Sequence, residues 1–424
     1  MADETLPTLS PSDLGRHAAG ERVRVGGRVL VSNGDTIVLA DAFGTLRIEL
    51  DAAELVALGP GRIERGACAL AAAGDLVVLE GRLVAAGRLE GARVVNGEHP
   101  WREPGAVGGD VRRFLDGGVG RALRARAEAL RATRSFFDAR GFLEVETPLR
   151  VPCPGLDPHL VGVPAGAGRF LITSPEYQMK RLLVGGVPRC YQLTRCFRGD
   201  ESGRLHQPEF TMLEWYRAFA SVDDVMADTE AVVRAVAAAL GRPERLASGG
   251  AVASLEGPFL QVRVVDAFAR YAGVGEAEML RLAVDDETTY FRIFVETIEP
   301  ALAAEGRPVF VVDFPAAHAS LARLRPGDPR YAERFELYAA GVELCNGFGE
   351  LSDAAEQRAR FARDVAVRRA RGLEAYPPDE RFLRALEEGM PPSAGNALGF
   401  DRLVALAIGA PSVGDVMAFP DETL

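Results

Sequence analysis

The stretch that most restricts the fold of this chain is FELYAAGVELCNGFGEL, residues 335–351. It places Glu336, Glu343 and Glu350 seven residues apart among side chains that are mostly apolar or small. A helix would accept this spacing, because a step of seven residues returns a side chain to nearly the same face. In that case the three carboxylates form an acidic stripe exposed to solvent.

Two strands joined by a turn are the alternative, and the composition of the stretch favours them. It contains four poor helix formers, Gly341, Asn346, Gly347 and Gly349. A turn is expected at residues 339–341. Strands would bury the glutamates, and an isolated buried charge is costly. The stretch therefore predicts positive partners from outside the chain, either a metal ion or an ammonium group of a substrate.

The length of 424 residues predicts two domains, because a single hydrophobic core stops growing at about 250–300 residues. The glycine- and proline-rich segment 97–110 reads as a linker, which gives a small domain with its linker at 1–106 and a main domain at 107–424. The hydrophobic share of 48% and the charged share of 26% are typical of a globular protein. A net charge of −11 gives no general attraction for nucleic acid, although it does not exclude a local basic groove.

The cysteines and the first residues predict a cytoplasmic protein. Five cysteines are scattered without a Cys-x-x-Cys pair or a histidine cluster, which is typical of buried thiols in a reducing compartment. No apolar run approaches the roughly 18 residues of a membrane span. The start MADETL lacks the basic residues of a signal peptide. We therefore expect no membrane partner.

Residues 22–96 predict a small β-barrel. Short β-rich runs alternate with glycine turns: RVRVGGRVLV, DTIVLA, GTLRIEL, DLVVLEGRLV and RLEGARVV. A short helix, DAAELVALG, is expected between the third and fourth runs, which is the element order of an OB-fold. Residues 1–105 hold 15 acidic and 11 basic side chains and only two aromatic ones, Phe43 and Trp101. Because OB-folds bind single-stranded RNA through basic grooves and aromatic platforms, this barrel is better suited to a structural or docking role.

The main domain alternates helical and strand-like segments. Apolar residues at helical spacing run through Phe137 and stop at Gly141, and a strand, FLEVETPL, is expected to follow and to end at Pro148. Two strand-like runs, YQLTRCFR and EFTMLEWYR, flank a polar loop. An amphipathic helix is expected at 222–241. Near the C-terminus, the run GNALG predicts a strand that leads into an apolar helix.

Arginine supplies nearly all of the positive charge. Lys180 is the sole lysine among 49 basic residues, which we attribute to coding bias rather than to a function. The polar loop FRGDESGRLHQPEF, residues 197–210, holds Arg198 and Arg204. Planar guanidinium groups suit phosphate or carboxylate oxygens, so these arginines are candidate anion ligands. An exposed, charged hairpin tip is the alternative interpretation of the loop.

Arg402, in the run GFDRL, is a further candidate anion ligand. It lies at the start of a predicted helix, where the free backbone amides also favour anions. Together with Arg198, and with Glu336 and Glu343 as ligands of Mg²⁺, it predicts a triphosphate site. The chain contains no G-x-x-x-x-G-K-[ST], no complete G-x-G-x-x-G and no H-E-x-x-H, which disfavours a P-loop, a Rossmann nucleotide site and a zincin.

Three segments resemble the signature motifs of the class II aminoacyl-tRNA synthetases. The helix and strand ending in ETPL resemble motif 1, FRGDESGRLHQPEF resembles motif 2, and GNALGFDRL resembles motif 3. Within this class, TSPEYQMKRLL, PEFTMLEWYR, DFPAAHASLA and ERFELYAAGVELCNGFGELSDAAEQ resemble the lysyl branch, and in particular its paralogues that attach (R)-β-lysine to elongation factor P. The similarity covers about residues 121–420. It implies an α+β class II catalytic domain, an antiparallel sheet flanked by helices, after the OB-like barrel, and a homodimer formed through motif 1.

The resemblance implies an ATP site built from motifs 2 and 3. Arg198 is expected to hold the α-phosphate and Arg402 the γ-phosphate, so these two arginines are the expected catalytic residues. Phe210 is expected to stack on adenine, with Asp200 or Glu201 facing its amino edge. The complete set of expected ATP-binding residues is Arg198, Gly199, Asp200, Glu201, His206, Gln207, Phe210, Glu343, Leu344, Gly399 and Arg402.

The resemblance also implies a site for a diamino acid and for magnesium. Glu350 and Tyr216 are expected to bind the side-chain ammonium, and Glu176 the second amino group. Glu336 and Glu343 are expected to coordinate Mg²⁺, so each glutamate of the opening stretch obtains a cation. The complete set of expected substrate-binding residues is Ser174, Pro175, Glu176, Tyr216, Asn346, Glu350 and Ala397.

The function that the resemblance implies is an ATP-dependent ligase. Lysine or (R)-β-lysine would be activated as an aminoacyl-adenylate and transferred to a lysine of elongation factor P. A lysine–tRNA ligase is the alternative, since tRNA ligases of this class also carry a barrel domain and tRNA would then be the acceptor. Ala397 favours the (R)-β-lysine group, because lysyl-tRNA ligases tend to have glycine there. A noncatalytic synthetase-like regulator that senses ATP or an amino acid is a further alternative.

Overall fold

The computed structural model describes residues 6, 8–33, 36–49, 73–84, 88–98, 109–115 and 117–424. The chain divides into two compact units, Met1–Arg124 and Ala125–Leu424, and the second unit is described throughout. The division that the sequence predicts, between residues 106 and 107, lies outside the described residues.

The first unit contains the predicted strands as one twisted sheet. Its elements are β1 (Thr8–Leu9), β2 (Arg22–Ser32), β3 (Thr36–Asp41), β4 (Gly44–Glu49), β5 (Leu76–Val84), β6 (Arg88–Glu98) and the helix α1 (Asp110–Leu115). The strand order is β4-β3-β2-β5-β6, with all of these pairs antiparallel, and β1 pairs with β2 in parallel. The five expected strands are thus confirmed as a half-barrel-like sheet, while the helix expected at DAAELVALG lies outside the described residues.

Alternation of apolar residues builds the core of this unit. Val23 and Val25 on β2, Ile37 and Leu39 on β3, and Ile48 on β4 are buried, whereas the residues between them are more exposed. Side chains at every second position of a strand share one face. The concave face of the sheet is therefore apolar and the outer face polar.

The helices of the remaining chain begin with α2 (Val119–Asp138), which crosses the division between the units. The others are α3 (Glu176–Val184), α4 (Val222–Ala239), α5 (Val264–Ala267), α6 (Glu276–Asp285), α7 (Glu287–Ile293), α8 (Glu299–Ala304), α9 (Ala354–Ala370), α10 (Glu380–Gly389) and α11 (Phe400–Ile408). Two short π-helical turns, Phe268–Ala272 and Phe294–Ile298, extend α5 and α7.

The strands of the second unit are β7 (Leu143–Glu144), β8 (Arg150–Val151), β9 (Phe170–Leu171), β10 (Arg189–Phe197), β11 (Glu209–Ala218), β12 (Arg245–Ser248), β13 (Ala251–Ser254), β14 (Leu260–Arg263), β15 (Val309–Pro315), β16 (Tyr331–Ala339), β17 (Val342–Gly349) and β18 (Ser393–Gly399). Eight of them form one sheet in the order β14-β15-β16-β17-β18-β11-β10-β7. It is antiparallel from β15 to β10 and parallel only at its two edges. Helices α4 and α11 pack against one face, so the expected α+β architecture is confirmed.

The stretch at 335–351 is a β-hairpin, and the helical interpretation of it is wrong. Strands β16 and β17 pair in antiparallel register and are joined by Ala340 and Gly341. These two residues have positive φ angles, 49° and 76°. Two consecutive positive φ angles are the signature of a type I′ turn, the two-residue turn whose twist matches that of paired strands. Glycine at 341 adopts this conformation without steric cost.

The strand expected at FLEVETPL is much shorter than the sequence predicts. Only Leu143 and Glu144 pair with β10, and the next backbone contact is the bond from Val145 N to Tyr191 O at 2.9 Å. Pro148 has no N–H to donate and restricts the residue before it, so the chain leaves the sheet before reaching it. The expected helix before this strand is confirmed, because α2 ends at Asp138.

The helix expected at 222–241 is confirmed as α4, and local sequence explains both of its ends. Ser221 caps the first turn, since its hydroxyl accepts from Asp224 N while the Asp224 carboxylate accepts from Ser221 N. Gly241 follows the last turn with a φ of 69°, a conformation that glycine adopts readily. Buried residues at 3–4 residue spacing, Val225, Thr229, Val232 and Val236, face the sheet.

Candidate active site

Four neighbouring strands bring predicted residues onto the face of the sheet opposite α4 and α11. Glu336 on β16 is the register partner of Asn346 on β17. Asn346 is the partner of Ala397 on β18, and Ala397 is the partner of Glu214 on β11. Partners on adjacent strands project to the same side of a sheet. The four side chains therefore form one row.

A second row lies two residues along, because side chains alternate between the two faces. It contains Phe348, Gly395 and Tyr216, and Glu350 follows β17 on the same side. A Cβ atom at position 395 would lie 2.2 Å from the Tyr216 ring and 3.0 Å from Glu350 Oε1. Glycine at this position is what lets the ring and the carboxylate lie directly against the strand.

This face carries a cavity of about 350 Å³ that joins the expected nucleotide and amino-acid residues. The predicted residues that line it are Ser174, Glu176, Arg198, Glu201, His206, Gln207, Phe210, Glu343, Leu344, Asn346, Ala397, Gly399 and Arg402. The cavity therefore has an end formed by motif 2 and motif 3 arginines and an end formed by carboxylate and amide groups.

The remaining predicted residues lie beside or behind the cavity wall. Gly199 donates its N–H to Val161 O at 2.9 Å, and the adjacent Asp200 is exposed. Pro175 precedes the first turn of α3. Four predicted residues are buried outside the lining: Pro175, Tyr216, Glu336 and Glu350. The residues expected to hold the substrate ammonium are thus covered in this structure.

Arg198 lies at the nucleotide end, above the face of the Phe210 ring. Its guanidinium carbon is 5.1 Å from the ring centroid, and its Nη1 is 3.4 Å from Glu201 Oε1. The Nε atom of Arg198 is buried without a hydrogen-bond partner. A buried guanidinium N–H that lacks a partner is costly, so this group is ready to accept an anion. The Phe210 ring offers a flat apolar surface beside it.

Arg402 is held at the same end of the cavity by backbone carbonyl groups. Nη1 donates to Glu343 O at 2.8 Å, and Nε donates to Leu205 O at 3.2 Å. Nη2 lies 2.7 Å from His206 Nε2. Burial and the neighbouring Arg402 lower the pKa of His206, so this imidazole is neutral and accepts from the guanidinium. These contacts fix the guanidinium group of Arg402 at the N-terminus of α11.

Gln207 ties the motif 2 loop to the C-terminal segment. Its Nε2 donates to Glu422 Oε2 at 3.2 Å, and its Oε1 accepts from Asp421 N at 2.9 Å. Both polar atoms of the side-chain amide therefore already have partners. Gln207 lines the cavity, but its amide serves first to hold the end of the chain against the loop.

Three carboxylates converge beside the nucleotide end. Glu336 accepts from Arg334 Nη2 at 2.5 Å and from the Tyr338 hydroxyl at 2.7 Å, and burial raises its pKa. Burial and the charges of Glu343 and Glu336 raise the pKa of Glu299, on α8, to about 7. Among the described residues, no group of three or more His, Cys, Asp or Glu side chains is arranged to hold a metal ion by itself. Oxygen donors of this kind suit Mg²⁺, which proteins hold through one or two carboxylates together with substrate phosphates and waters.

An internal lysine occupies the opposite end. Lys180 Nζ lies 2.5 Å from Glu176 Oε1 and 2.5 Å from Glu350 Oε2. The ring centroids of Tyr216 and Phe348 are 5.9 Å and 5.7 Å from the same nitrogen. Burial lowers the pKa of Lys180, but the two carboxylates more than offset this, so its pKa is raised and the group is charged.

Glu214 is a further carboxylate at this end. Its Oε2 accepts from the Ser174 hydroxyl at 2.6 Å, and its Oε1 accepts from the Tyr216 hydroxyl at 2.5 Å. Burial and the charge of Glu176 raise its pKa to about 8. Burial also raises the pKa of Glu350 to about 7. In the free protein both groups therefore hold a proton over part of the neutral range.

Sequence reasoning missed several charged residues of the site, although some signals were present. Glu214 shares a strand face with Phe210 and Tyr216, because alternate positions of β11 project together. Lys180 is the sole lysine and lies four residues after Glu176 on one helix, so the two side chains are neighbours. Arg334 carried the same signal, since it lies two residues before Glu336 on β16 and shares its face.

The structure also answers the predictions about thiols and membranes in part. The described cysteines, Cys153, Cys190, Cys196 and Cys345, are buried and free. Burial raises the pKa of the Cys153 thiol to about 12, so this thiol is protonated at neutral pH. Within the described ranges, no helix combines the length and the apolar character needed to cross a membrane.

Comparison with known proteins finds clear relatives. The family of class II tRNA synthetases (D, K and N) matches residues 113–423. The elongation factor P–(R)-β-lysine ligase of Edwardsiella ictaluri is 44% identical over 311 residues, which cover 70% of this chain and 94% of the relative. The proteins of the same name from Proteus mirabilis and Klebsiella pneumoniae are each 41% identical, over 312 and 311 residues, with the same 70% and 94% coverage.

Proposed function

Because the chain belongs to the family of class II tRNA synthetases (D, K and N), we propose that it is an ATP-dependent ligase. It activates lysine or (R)-β-lysine as an aminoacyl-adenylate and transfers the aminoacyl group to a lysine of elongation factor P. The observation that carries the proposal is a cavity with the two motif arginines at one end and Glu176 at the other, where the buried carboxylates of Glu214 and Glu350 lie behind the lining. Such a cavity can hold a triphosphate and a diamino acid side by side.

Positioning and charge stabilisation account for the first step. The carboxylate of the amino acid attacks the α-phosphorus, a new P–O bond forms, and the bond to the pyrophosphate oxygen breaks. Arg198 faces the charge that develops on the α-phosphate, since its buried Nε lacks a partner in the ligand-free protein. Arg402 anchors the departing pyrophosphate. No side chain acts as a nucleophile in this step.

Magnesium binding fits the carboxylates beside Arg402. Glu343 and Glu336 would hold the ion, which would neutralise charge on the phosphates when bound. Arg334 orients Glu336 from within the protein, because its Nη2 donates to that carboxylate and its Nε donates to Asn346 Oδ1 at 3.2 Å. The same arginine therefore links the metal-binding end to the residue expected to touch the substrate carboxylate.

The second step uses the acceptor amine as the nucleophile. The neutral amine attacks the carbonyl carbon of the adenylate, an amide C–N bond forms, AMP leaves, and the amine loses a proton. Ser174 and Glu176 hold the amino group nearest the reacting carboxylate, and Ala397 forms the floor below it. The methyl group of Ala397 decides how deeply this amino group can sit, which favours a β-amino acid over an α-amino acid.

Substrate binding is expected to depend on pH. Glu350 has a pKa of about 7 and Glu214 of about 8 in the free protein, so both are protonated at pH 6. An ammonium group binds the ionised form, so the KM for the diamino acid should fall as pH rises from 6 to 8. Below pH 7, both carboxyl groups must lose a proton before the ammonium binds. Each of these protons raises KM about tenfold for every unit by which the pH is lowered. Initial rates of adenylate formation at several pH values measure this.

The variant Glu214→Gln is the control for the assignment of this pH dependence. Glutamine has no proton to lose, so the inflection near pH 8 should disappear while that near pH 7 remains. A KM that stays constant between pH 6 and 8 in the unaltered protein would contradict the assignment.

The acceptor is tested by offering both candidates together. Purified elongation factor P and tRNA are mixed with the enzyme, ATP, Mg²⁺ and labelled (R)-β-lysine or lysine. We expect the label on elongation factor P, because the matched relatives are named elongation factor P–(R)-β-lysine ligases. Label on tRNA alone would support the alternative, a lysine–tRNA ligase, which the additional N-terminal unit favours.

The same mixture without acceptors tests the activation step. We expect exchange of labelled pyrophosphate into ATP that requires the diamino acid and Mg²⁺. Binding of ATP or amino acid without any exchange would instead indicate a noncatalytic, synthetase-like regulator.

We also propose that the enzyme is a cytoplasmic homodimer that pairs through motif 1. Leu143 and Leu149 of this segment expose 56% and 38% of their surface, which a partner copy would cover. The small domain, residues 1–106, has a structural or docking role in this arrangement. Sedimentation at micromolar concentration that shows only 45.4 kDa particles would contradict the dimer.

A further inference from the structure

Lys180 lies in the environment that the proposed function reserves for the substrate ammonium. Its Nζ contacts the carboxylates of Glu176 and Glu350, each at 2.5 Å. The faces of Tyr216 and Phe348 flank it at 5.9 Å and 5.7 Å. Two carboxylates and two aromatic rings are the groups that bind an alkylammonium ion. The ammonium group of Lys180 is thus chemically the same as the side-chain ammonium of the proposed substrate.

This internal ammonium is shut off from the cavity. The side chains of Lys180 and Glu350 are 1% and 0% exposed, and neither lines the cavity. Glu176 and Phe348 do line it and stand between the cavity and Lys180. Glu176 is the shared element, because one carboxylate faces both the cavity and the internal lysine.

The charges at this end are not balanced by Lys180 alone. Glu176 and Glu350 together carry two negative charges when ionised, and Lys180 supplies one positive charge. The charged and titratable groups that face Glu350 are Lys180 and Glu176 from α3, Glu214 and Tyr216 from β11, and Arg323 from the loop before β16. Arg323 is itself paired with Glu333 at 2.5 Å, so one further cation balances Glu176 and Glu350, whereas a neutral side chain leaves the excess negative charge in place.

We propose that Lys180 is a positioning residue that holds Glu176 and Glu350 ready for the two amino groups of the diamino acid, and that it shares Glu350 with the side-chain ammonium once the substrate is bound. The inference rests on the proposed function. It explains selectivity in physical terms, because Lys180 balances one of the two carboxylate charges and only a second cation can balance the other. It also explains why two like charges can lie so close together before the substrate arrives.

The sole lysine makes this proposal directly observable. Protein grown with lysine labelled with ¹³C at Cε gives a single side-chain NMR signal, which the variant Lys180→Met must abolish. Titration with lysine or (R)-β-lysine should shift this signal, with a midpoint that matches the KM for the same compound. Norleucine, which keeps the α-ammonium but lacks the side-chain ammonium, should move the signal much less.

Kinetics of the same variants separate positioning from folding. In Lys180→Met, the KM for the diamino acid should rise on the order of 100-fold, while the KM for ATP stays within about threefold. Lys180→Arg keeps the charge and should recover most of the loss. The matched control is Arg181→Met, which removes a long cationic side chain one residue further along α3 and should leave both constants unchanged.

The outcomes distinguish this inference from the proposed function. An enzyme that exchanges pyrophosphate with a diamino acid but whose Lys180 signal does not move, or moves equally with norleucine, overturns the positioning role alone. A wild-type KM in Lys180→Met also overturns it. Failure of every diamino acid to support exchange in the unaltered protein overturns the proposed function, and the positioning role with it.

Discussion

Replacing Glu350 by glutamine is expected to lower kcat/KM for the diamino acid by about 10²–10³-fold. Glutamine has nearly the same shape but no charge, so the substrate ammonium loses its buried counter-ion, a change that costs about 3–5 kcal/mol. Lys180 keeps its contact with Glu176, so the fold should persist. Exchange of pyrophosphate into ATP that depends on the amino acid measures the effect, and thermal unfolding measures the stability.

The exposed Glu388 on α10 provides the matched control for this substitution. Glu388→Gln makes the same chemical change far from the cavity lining and should leave exchange unaltered. Glu350→Gln protein that remains folded and exchanges at the wild-type rate would show that the ammonium group binds elsewhere.

Replacing Arg402 by glutamine is expected to lower kcat/KM for ATP by about 10³-fold. The guanidinium is held by Glu343 O and Leu205 O in an orientation that can meet two phosphate oxygens at once. Removal of a charged group that stabilises a developing or departing charge in an enclosed site costs about 3–4 kcal/mol. Steady-state exchange at varied ATP concentration measures the loss.

Two further variants make this prediction specific. Arg402→Lys keeps the charge but not the planar fork, so its activity should fall between those of the wild type and Arg402→Gln. Arg384→Gln, on the exposed side of α10, should behave like the wild type. If Arg402→Gln retained the wild-type kcat/KM for ATP, the phosphate anchor would lie at another residue.

The hairpin at 335–351 shows how much local sequence can determine. Four poor helix formers exclude a helix, and the Ala340-Gly341 pair accepts the positive φ angles of a tight turn. Once the two strands are paired, alternation places Glu336 and Asn346 on the cavity side without further information. The short strand at Leu143 marks the limit of such reasoning, since the strand-like alternation continues through Val145 and Thr147 although the pairing stops at Glu144.

Partners of buried charges could not be predicted in the same way. Lys180 and Glu350 are far apart in sequence and meet only because α3 packs beside the end of β17. Gln207 was expected at the nucleotide, whereas its amide holds a segment that lies 215 residues later. Such contacts depend on tertiary packing, which secondary-structure propensity, hydrophobic periodicity and motif spacing do not reveal.

The burial of the sole lysine has a chemical consequence for an enzyme that joins an amino acid to AMP as a reactive mixed anhydride. Adenylates acylate exposed amines without selection, and arginine does not react in their place because its guanidinium stays protonated. A chain whose surface carries arginine in place of lysine therefore presents no side-chain amine to its own intermediate. Activated groups that escape the site therefore meet exposed lysine amines only on other molecules.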